Sequence, residues 1–136
     1  MNTSNALLEQ AREAREHAYA PYSGFRVGAA VRSQDGRIFQ GCNVENASYG
    51  LTTCAERTAL CAAIAAGCRP GDLAQIAVIG DTDDPISPCG ACRQLILELG
   101  GRDIEVILGN LAGDVQRTGT AQLLPGAFHL DTRVPA

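Results

Sequence analysis

The sequence has no tryptophan and no lysine, and only 4% of its 136 residues are aromatic. A core without large rings must rest on Leu, Ile, Val and Ala, which bury less area each, so subunit association is a natural supplement. Basic runs are missing too: the positive residues are scattered arginines, and the net charge is -4. Polynucleotide binding draws on clustered cations that release counterions. The chain therefore suits a small neutral substrate rather than nucleic acid. Long apolar stretches are also absent. The run Ala59 to Ala66 is short and contains Cys61, well below the ~20 residues that span a bilayer. Met1 to Glu16 is polar and charged, unlike a secretory signal. These absences predict a cytoplasmic protein with no membrane partner. In that reducing setting, six cysteines read as metal ligands, buried small apolar residues or redox groups, not as a disulfide framework.

What is present suits one domain over residues 1–136: the length is typical, and 46% of residues are apolar. Leu7, Leu8, Ala11, Ala14 and Ala18 follow helical spacing between Ser4, a possible cap, and Tyr19, and Pro21 stops the helix. Arg26–Arg32 and Arg37–Cys42 read as strands joined by an Asp35-Gly36 hairpin turn. Cys54–Ala66 reads as a helix with Cys54 in its first turn, stopped by Gly67. Ala74–Gly80 is a strand, Cys89–Leu99 a helix opened by Pro88, and Ile104–Leu108 a strand. A short strand near Val115 and a helical turn near Leu123 complete the pattern. Strand, helix, strand alternation implies parallel neighbours covered by helices, hence a small α/β sandwich.

Two cysteine clusters open two different helices: Cys54-Ala55-Glu56 and Pro88-Cys89-Gly90-Ala91-Cys92. Positions three apart on a helix share a face, so Cys89 and Cys92 can aim both sulfurs at one point, and Cys54 can be the third ligand. Three protein ligands with the fourth position left to water is the count of a catalytic zinc site. Three thiolates overcompensate the charge of zinc. Helix N-termini can offset the excess, and Arg57 lies close enough in sequence to bond a ligand sulfur. Glu56, two residues past Cys54, turns away from the ligand direction and suits proton transfer better than ligation.

These residues resemble a known family, the short zinc-dependent cytidine deaminases of nucleoside salvage. The resemblance runs through Tyr19-Ala20-Pro21-Tyr22-Ser23-Gly24-Phe25-Arg26-Val27-Gly28, Gly41-Cys42-Asn43-Val44-Glu45-Asn46-Ala47-Ser48-Tyr49-Gly50, Cys54-Ala55-Glu56-Arg57, Ser87-Pro88-Cys89-Gly90-Ala91-Cys92-Arg93-Gln94 and Leu123-Leu124-Pro125-Gly126-Ala127-Phe128. It implies an enzyme that deaminates cytidine and 2'-deoxycytidine hydrolytically in pyrimidine salvage, with one Zn2+ per subunit. The implied fold is a three-layer α-β-α sandwich with a mixed sheet of about five strands. It further implies that Asn43 and Glu45 bond the ribose hydroxyls, Phe25 contacts the nucleoside, and the Ala55 N–H donates to the base carbonyl. Phe128 and Tyr49 resemble residues of an active site shared between subunits of a homotetramer.

Three competing readings are simpler. Cys89-Gly90-Ala91-Cys92 alone also resembles a redox dithiol at a helix start. A structural zinc would need a fourth ligand from Cys42, Cys61, Cys68, His17 or His129, none suitably spaced. A blasticidin S deaminase would share the metal motif, but Asn43-Val44-Glu45-Asn46-Ala47 favours cytidine. Cys42, Cys61 and Cys68 are expected to be buried small apolar residues, His17 to lie on a helix face and His129 in the tail. Asn43 and Glu45, alternating along the end of a strand, are expected on one face.

Overall fold

A computed structural model of the chain describes residues 3–130, with side chains from residue 5 onward. Helix α1 (Thr3–Arg15) precedes strands β1 (Val27–Ser33) and β2 (Ile38–Cys42), which pair antiparallel. The expected Asp35-Gly36 turn joins them, with Gly36 at φ 90°, where glycine carries no steric cost. Helix α2 (Ala55–Ala65), strand β3 (Leu73–Gly80), helix α3 (Gly90–Leu95), strands β4 (Glu105–Asn110) and β5 (Val115–Gly119) and the short helix α4 (Thr120–Leu123) follow. The sheet order is β2-β1-β3-β4-β5. Among the five described strands only β3 and β4 pair parallel, and α3 lies in their connection, because parallel neighbours need a crossover and antiparallel ones do not.

Side chains alternate across the sheet with period two. Val27, Ala29, Val31, Ile76, Val78, Val106 and Leu108 pack with Ala59, Leu60 and Ala63 of α2 and with Ile96. Ala30, Ala77, Ile79 and Ile107 point the other way, onto Leu7, Leu8 and Ala11 of α1. The result is three layers with two apolar seams and, among the described residues, no aromatic at full burial. Both helices press on the sheet at glycines. A Cβ on Gly28 would lie 1.9 Å from the Ala11 carbonyl of α1, and one on Gly41 would lie 2.3 Å from the Ala59 nitrogen of α2.

The register brings one sheet edge together. Val27 opposes Gly80, Gly28 opposes Cys42, and Gly80 lies beside Asn110. The start of β1 and the ends of β2 and β3 therefore share an edge, and the chain leaving β2 and β3 there turns into the N-termini of α2 and α3.

Several boundaries differ from the expectations. Helix α1 begins at Thr3, so Ser4 falls inside it, and the Ser4 side chain lies outside the described residues. It ends at Arg15 rather than Tyr19, because the Tyr19 N–H donates to the Asn43 carbonyl at 3.0 Å and its carbonyl accepts from Glu45 at 2.8 Å. His17 and Ala18 thus follow the helix. Cys54 precedes α2 as an extended cap, and the third helix gives way at Ile96–Gly100 to a single π-helical turn. Among the described residues no helix is long and apolar enough to cross a membrane.

Candidate active site and metal centre

Loop 44–53 after β2 is closed by a small antiparallel bridge: Val44 and Thr53 exchange main-chain hydrogen bonds of 2.9 and 2.8 Å. The bridge returns the chain to the sheet edge at Cys54. That residue is extended, at φ -73° and ψ 155°, so its sulfur lies ahead of the α2 N-terminus. Gly41 lets α2 sit close to β2, and the Thr58 hydroxyl donates to the Cys42 carbonyl at 2.8 Å, which fixes how far along the strand the helix starts. Cys89 is the matching cap of α3 (φ -65°, ψ 168°), and its sulfur accepts the Cys92 N–H at 3.4 Å. The first-turn N–H groups of a helix have no intrahelical acceptor and carry partial positive charge. Two such ends meet here.

The sulfurs of Cys54, Cys89 and Cys92 lie within 4.8 Å of one another. A hydrogen bond from Cys92, above all, holds the Cys54 thiol down at about 7 against the opposing effects of burial and Glu56. The same hydrogen bond, with burial, pushes Cys92 up. Metal binding takes cysteine as thiolate, so a thiophilic cation held here would displace the thiol protons. Three soft ligands on two helix ends, with no fourth Cys, His, Asp or Glu in the group among the described residues, fit a tetrahedral zinc site with one open position. Cys42, Cys61, Cys68, His17 and His129 stand apart from it. Of the three extra cysteines only Cys68 is fully buried. Cys61 is exposed on α2 and Cys42 half-buried, which corrects the expectation for both.

Beside the sulfurs is a cavity of about 220 Å³ lined by Phe25, Val27, Asn43, Cys54, Ala55 and Glu56, and closed by Thr52, Ile86, Ser87 and Cys89. Glu56 is 5% exposed. Burial pushes its carboxyl up, partly offset by its own main-chain N–H and by Cys92. A buried carboxyl held above the usual carboxylate range therefore lines the cavity together with Cys54 and Cys89. Ala55 is fully buried at the cavity wall and is the first residue of α2, so its N–H is among those without an intrahelical acceptor.

The model of the cytidine and deoxycytidylate deaminase zinc-binding region matches residues 1–108. The chain belongs to this deaminase family. It is 56% identical over 122 residues to a cytidine deaminase of Halalkalibacterium halodurans, covering 90% of this chain and 91% of that one. The solved cytidine deaminase of Burkholderia pseudomallei is 61% identical, superposes with a TM-score of 0.91, and covers 94% of this chain and 100% of its own. That of Mycobacterium tuberculosis is 40% identical with a TM-score of 0.81, over 96% of this chain and all of its own. The mixed five-stranded sheet with helices on both faces is thus the deaminase fold.

The deaminase cavity brings together Phe25, Asn43, Ala55, Glu56 and the cysteine cluster, but not every residue singled out from sequence. Asn43 and Glu45 flank Val44, which bridges both Tyr19 and Thr53, and they line two adjoining cavities. Asn43 lines the first cavity. Its Oδ1 accepts the Val27 N–H at 2.9 Å and its Nδ2 donates to the Phe25 carbonyl at 2.8 Å, leaving one lone pair and one N–H for another partner. Glu45 lies in an adjoining cavity of about 350 Å³ with Tyr22, Ser23 and Tyr49, and Thr52 borders both cavities. The Ser23 hydroxyl, foremost, and the N–H groups of Ser23 and Tyr22 hold its carboxyl below the usual carboxylate range. Tyr49 is 80% and Phe128 69% exposed, and neither reaches the first cavity. Arg57 is exposed and hydrogen-bonds no sulfur among the described residues, although its charge is one of the smaller influences lowering Cys54. Sequence reasoning missed Ile86 and Ser87 as cavity wall. The available signal was Ile86 itself, an apolar residue isolated in the polar stretch Asp81 to Ser87.

Proposed function

We propose that this protein is a zinc-dependent cytidine deaminase of pyrimidine salvage, converting cytidine to uridine and ammonia, and that it treats 2'-deoxycytidine alike. The observation that carries the reading is the cluster of three sulfurs at two helix ends, with the buried carboxyl of Glu56 beside it in a nucleobase-sized cavity. Cys54, Cys89 and Cys92 hold the zinc, which when bound supplies a Lewis acid that makes water nucleophilic at neutral pH. Glu56 takes one proton from the attacking water and gives it to the ring nitrogen, then takes the second from the hydroxyl so added to the ring and gives it to the departing amine, which leaves as ammonia. Its raised proton affinity suits both halves of that exchange. The Ala55 N–H donates to the base carbonyl and orients the ring, and Phe25 packs against the nucleoside. Asn43 and Glu45 bond the ribose, Asn43 through its remaining N–H and lone pair. Arg57 tempers the thiolate charge from the surface of α2.

The active form is a cytoplasmic homotetramer of one-domain subunits spanning residues 1–136, with no nucleic-acid or membrane partner. The exposure of Tyr49 and Phe128, both outside the cavity within one chain, supports an active site completed by a neighbouring subunit. The decisive experiment follows the loss of cytidine absorbance with zinc-loaded protein, with the same sample after chelation, and again after zinc is restored. Conversion that disappears and returns with zinc is expected. A folded, fully zinc-loaded sample that leaves cytidine unchanged would overturn the reading.

A further inference from the structure

Arg93 follows Cys92 directly and is half-buried, yet among the described residues no carboxylate stands within ion-pair distance of it. Its guanidinium instead places each nitrogen on a different acceptor. Nε donates to the Pro88 carbonyl at 2.9 Å, Nη2 to the Ser87 hydroxyl at 2.7 Å, and Nη1 to the Leu123 carbonyl at 2.7 Å. Two of these acceptors belong to the stretch that ends at Cys89 and walls the cavity. Residues 87 and 88 make no main-chain to main-chain hydrogen bond among the described residues, so the guanidinium supplies hydrogen bonds that the backbone does not. The third acceptor belongs to the C-terminal segment, which the neighbouring Gln94 holds again through the Phe128 carbonyl at 3.2 Å.

We propose that Arg93 is a positioning residue: it fixes the loop that delivers Cys89 to the metal cluster and couples that loop to the segment bearing Phe128. The inference rests on the zinc deaminase reading above. A rigid planar fork reaches three divergent acceptors at once, which a lysine ammonium on a flexible stem does not reproduce. Groups that orient metal ligands without touching the metal govern how firmly it is held.

The test compares the zinc-loaded full-length protein with Arg93→Lys and Arg93→Ala, and with Arg117→Lys, whose partner Glu105 lies on β4, as the control. Zinc release to a chromogenic chelator is timed, and kcat and KM are measured separately. Both Arg93 variants are expected to release zinc about 10- to 100-fold faster and to raise KM, while the control does neither. Millimolar guanidinium should slow release from Arg93→Ala and leave the parent unchanged. Release within about twofold of the parent in the Arg93 variants would overturn the assignment, and so would equal acceleration in Arg117→Lys. If Arg93→Ala does not fold, Arg93→Lys supplies the same readings. A parent that holds no zinc would sink the deaminase reading itself, and this inference with it.

Discussion

At the scale of single residues, Glu56 combines near-complete burial with a place beside three sulfurs that it does not join. A glutamine fits the same space but cannot carry a proton. Glu56→Gln should therefore keep zinc and the unfolding temperature of the parent while kcat falls by about 10²–10⁴-fold; turnover near that of the parent would remove Glu56 from the mechanism. The cysteines and Glu56 were legible in the sequence because their chemistry is encoded by short spacings at helix starts. The surroundings of Asn43 and Glu45 were not. Asn43 is tied to Phe25 and Val27, and Glu45 to Tyr22 and Ser23, across a turn whose shape depends on the bridge between Val44 and Thr53. Such contacts join residues far apart in the chain and leave no local signal in the sequence.

At the scale of elements, the position of α2 decides where Cys54 stands. Helix and strand approach so closely at Gly41 that an added Cβ would lie 2.3 Å from the Ala59 nitrogen and 2.6 Å from the Ala55 carbonyl, both main-chain atoms that cannot swing aside. Gly41→Ala should cost about 1–3 kcal/mol in urea unfolding, in the range of overpacked cores, and should lower the zinc bound per subunit because the helix start moves. Unchanged stability and zinc content would mean that α2 adjusts without cost. Most elements were legible: apolar period, the Asp35-Gly36 turn and the Gly67 stop located α2, β1 and β2 to within a residue or so. The end of α1 was not, since Tyr19 is drawn out of the helix by hydrogen bonds to Asn43 and Glu45, far along the chain. The π turn after α3 likewise has no signature in its sequence, ILELG, which would suit an ordinary helix.

At the scale of the whole molecule, the proposed sharing of the active site between subunits can be tested through the exposed Phe128. If Phe128 serves the site of a neighbouring subunit, then Phe128→Ala and Glu56→Gln damage different contributions to the same site. Mixed tetramers of the two variants, formed by subunit exchange, should be more active than either variant alone. Exchange without any gain would place both residues in one subunit's site.

The placement of the three sulfurs has another consequence. Cys54 follows the first hairpin and Cys92 lies beyond β3, so the ion that serves the reaction also closes a long loop of chain. A cross-link over such a span removes freedom from the unfolded ensemble, worth on the order of 3–4 kcal/mol by the chain-entropy reckoning used for disulfides. Scarce zinc would then thin the population of folded molecules as well as idle their active sites, and the cell's supply of the metal would set the protein's lifetime along with its activity.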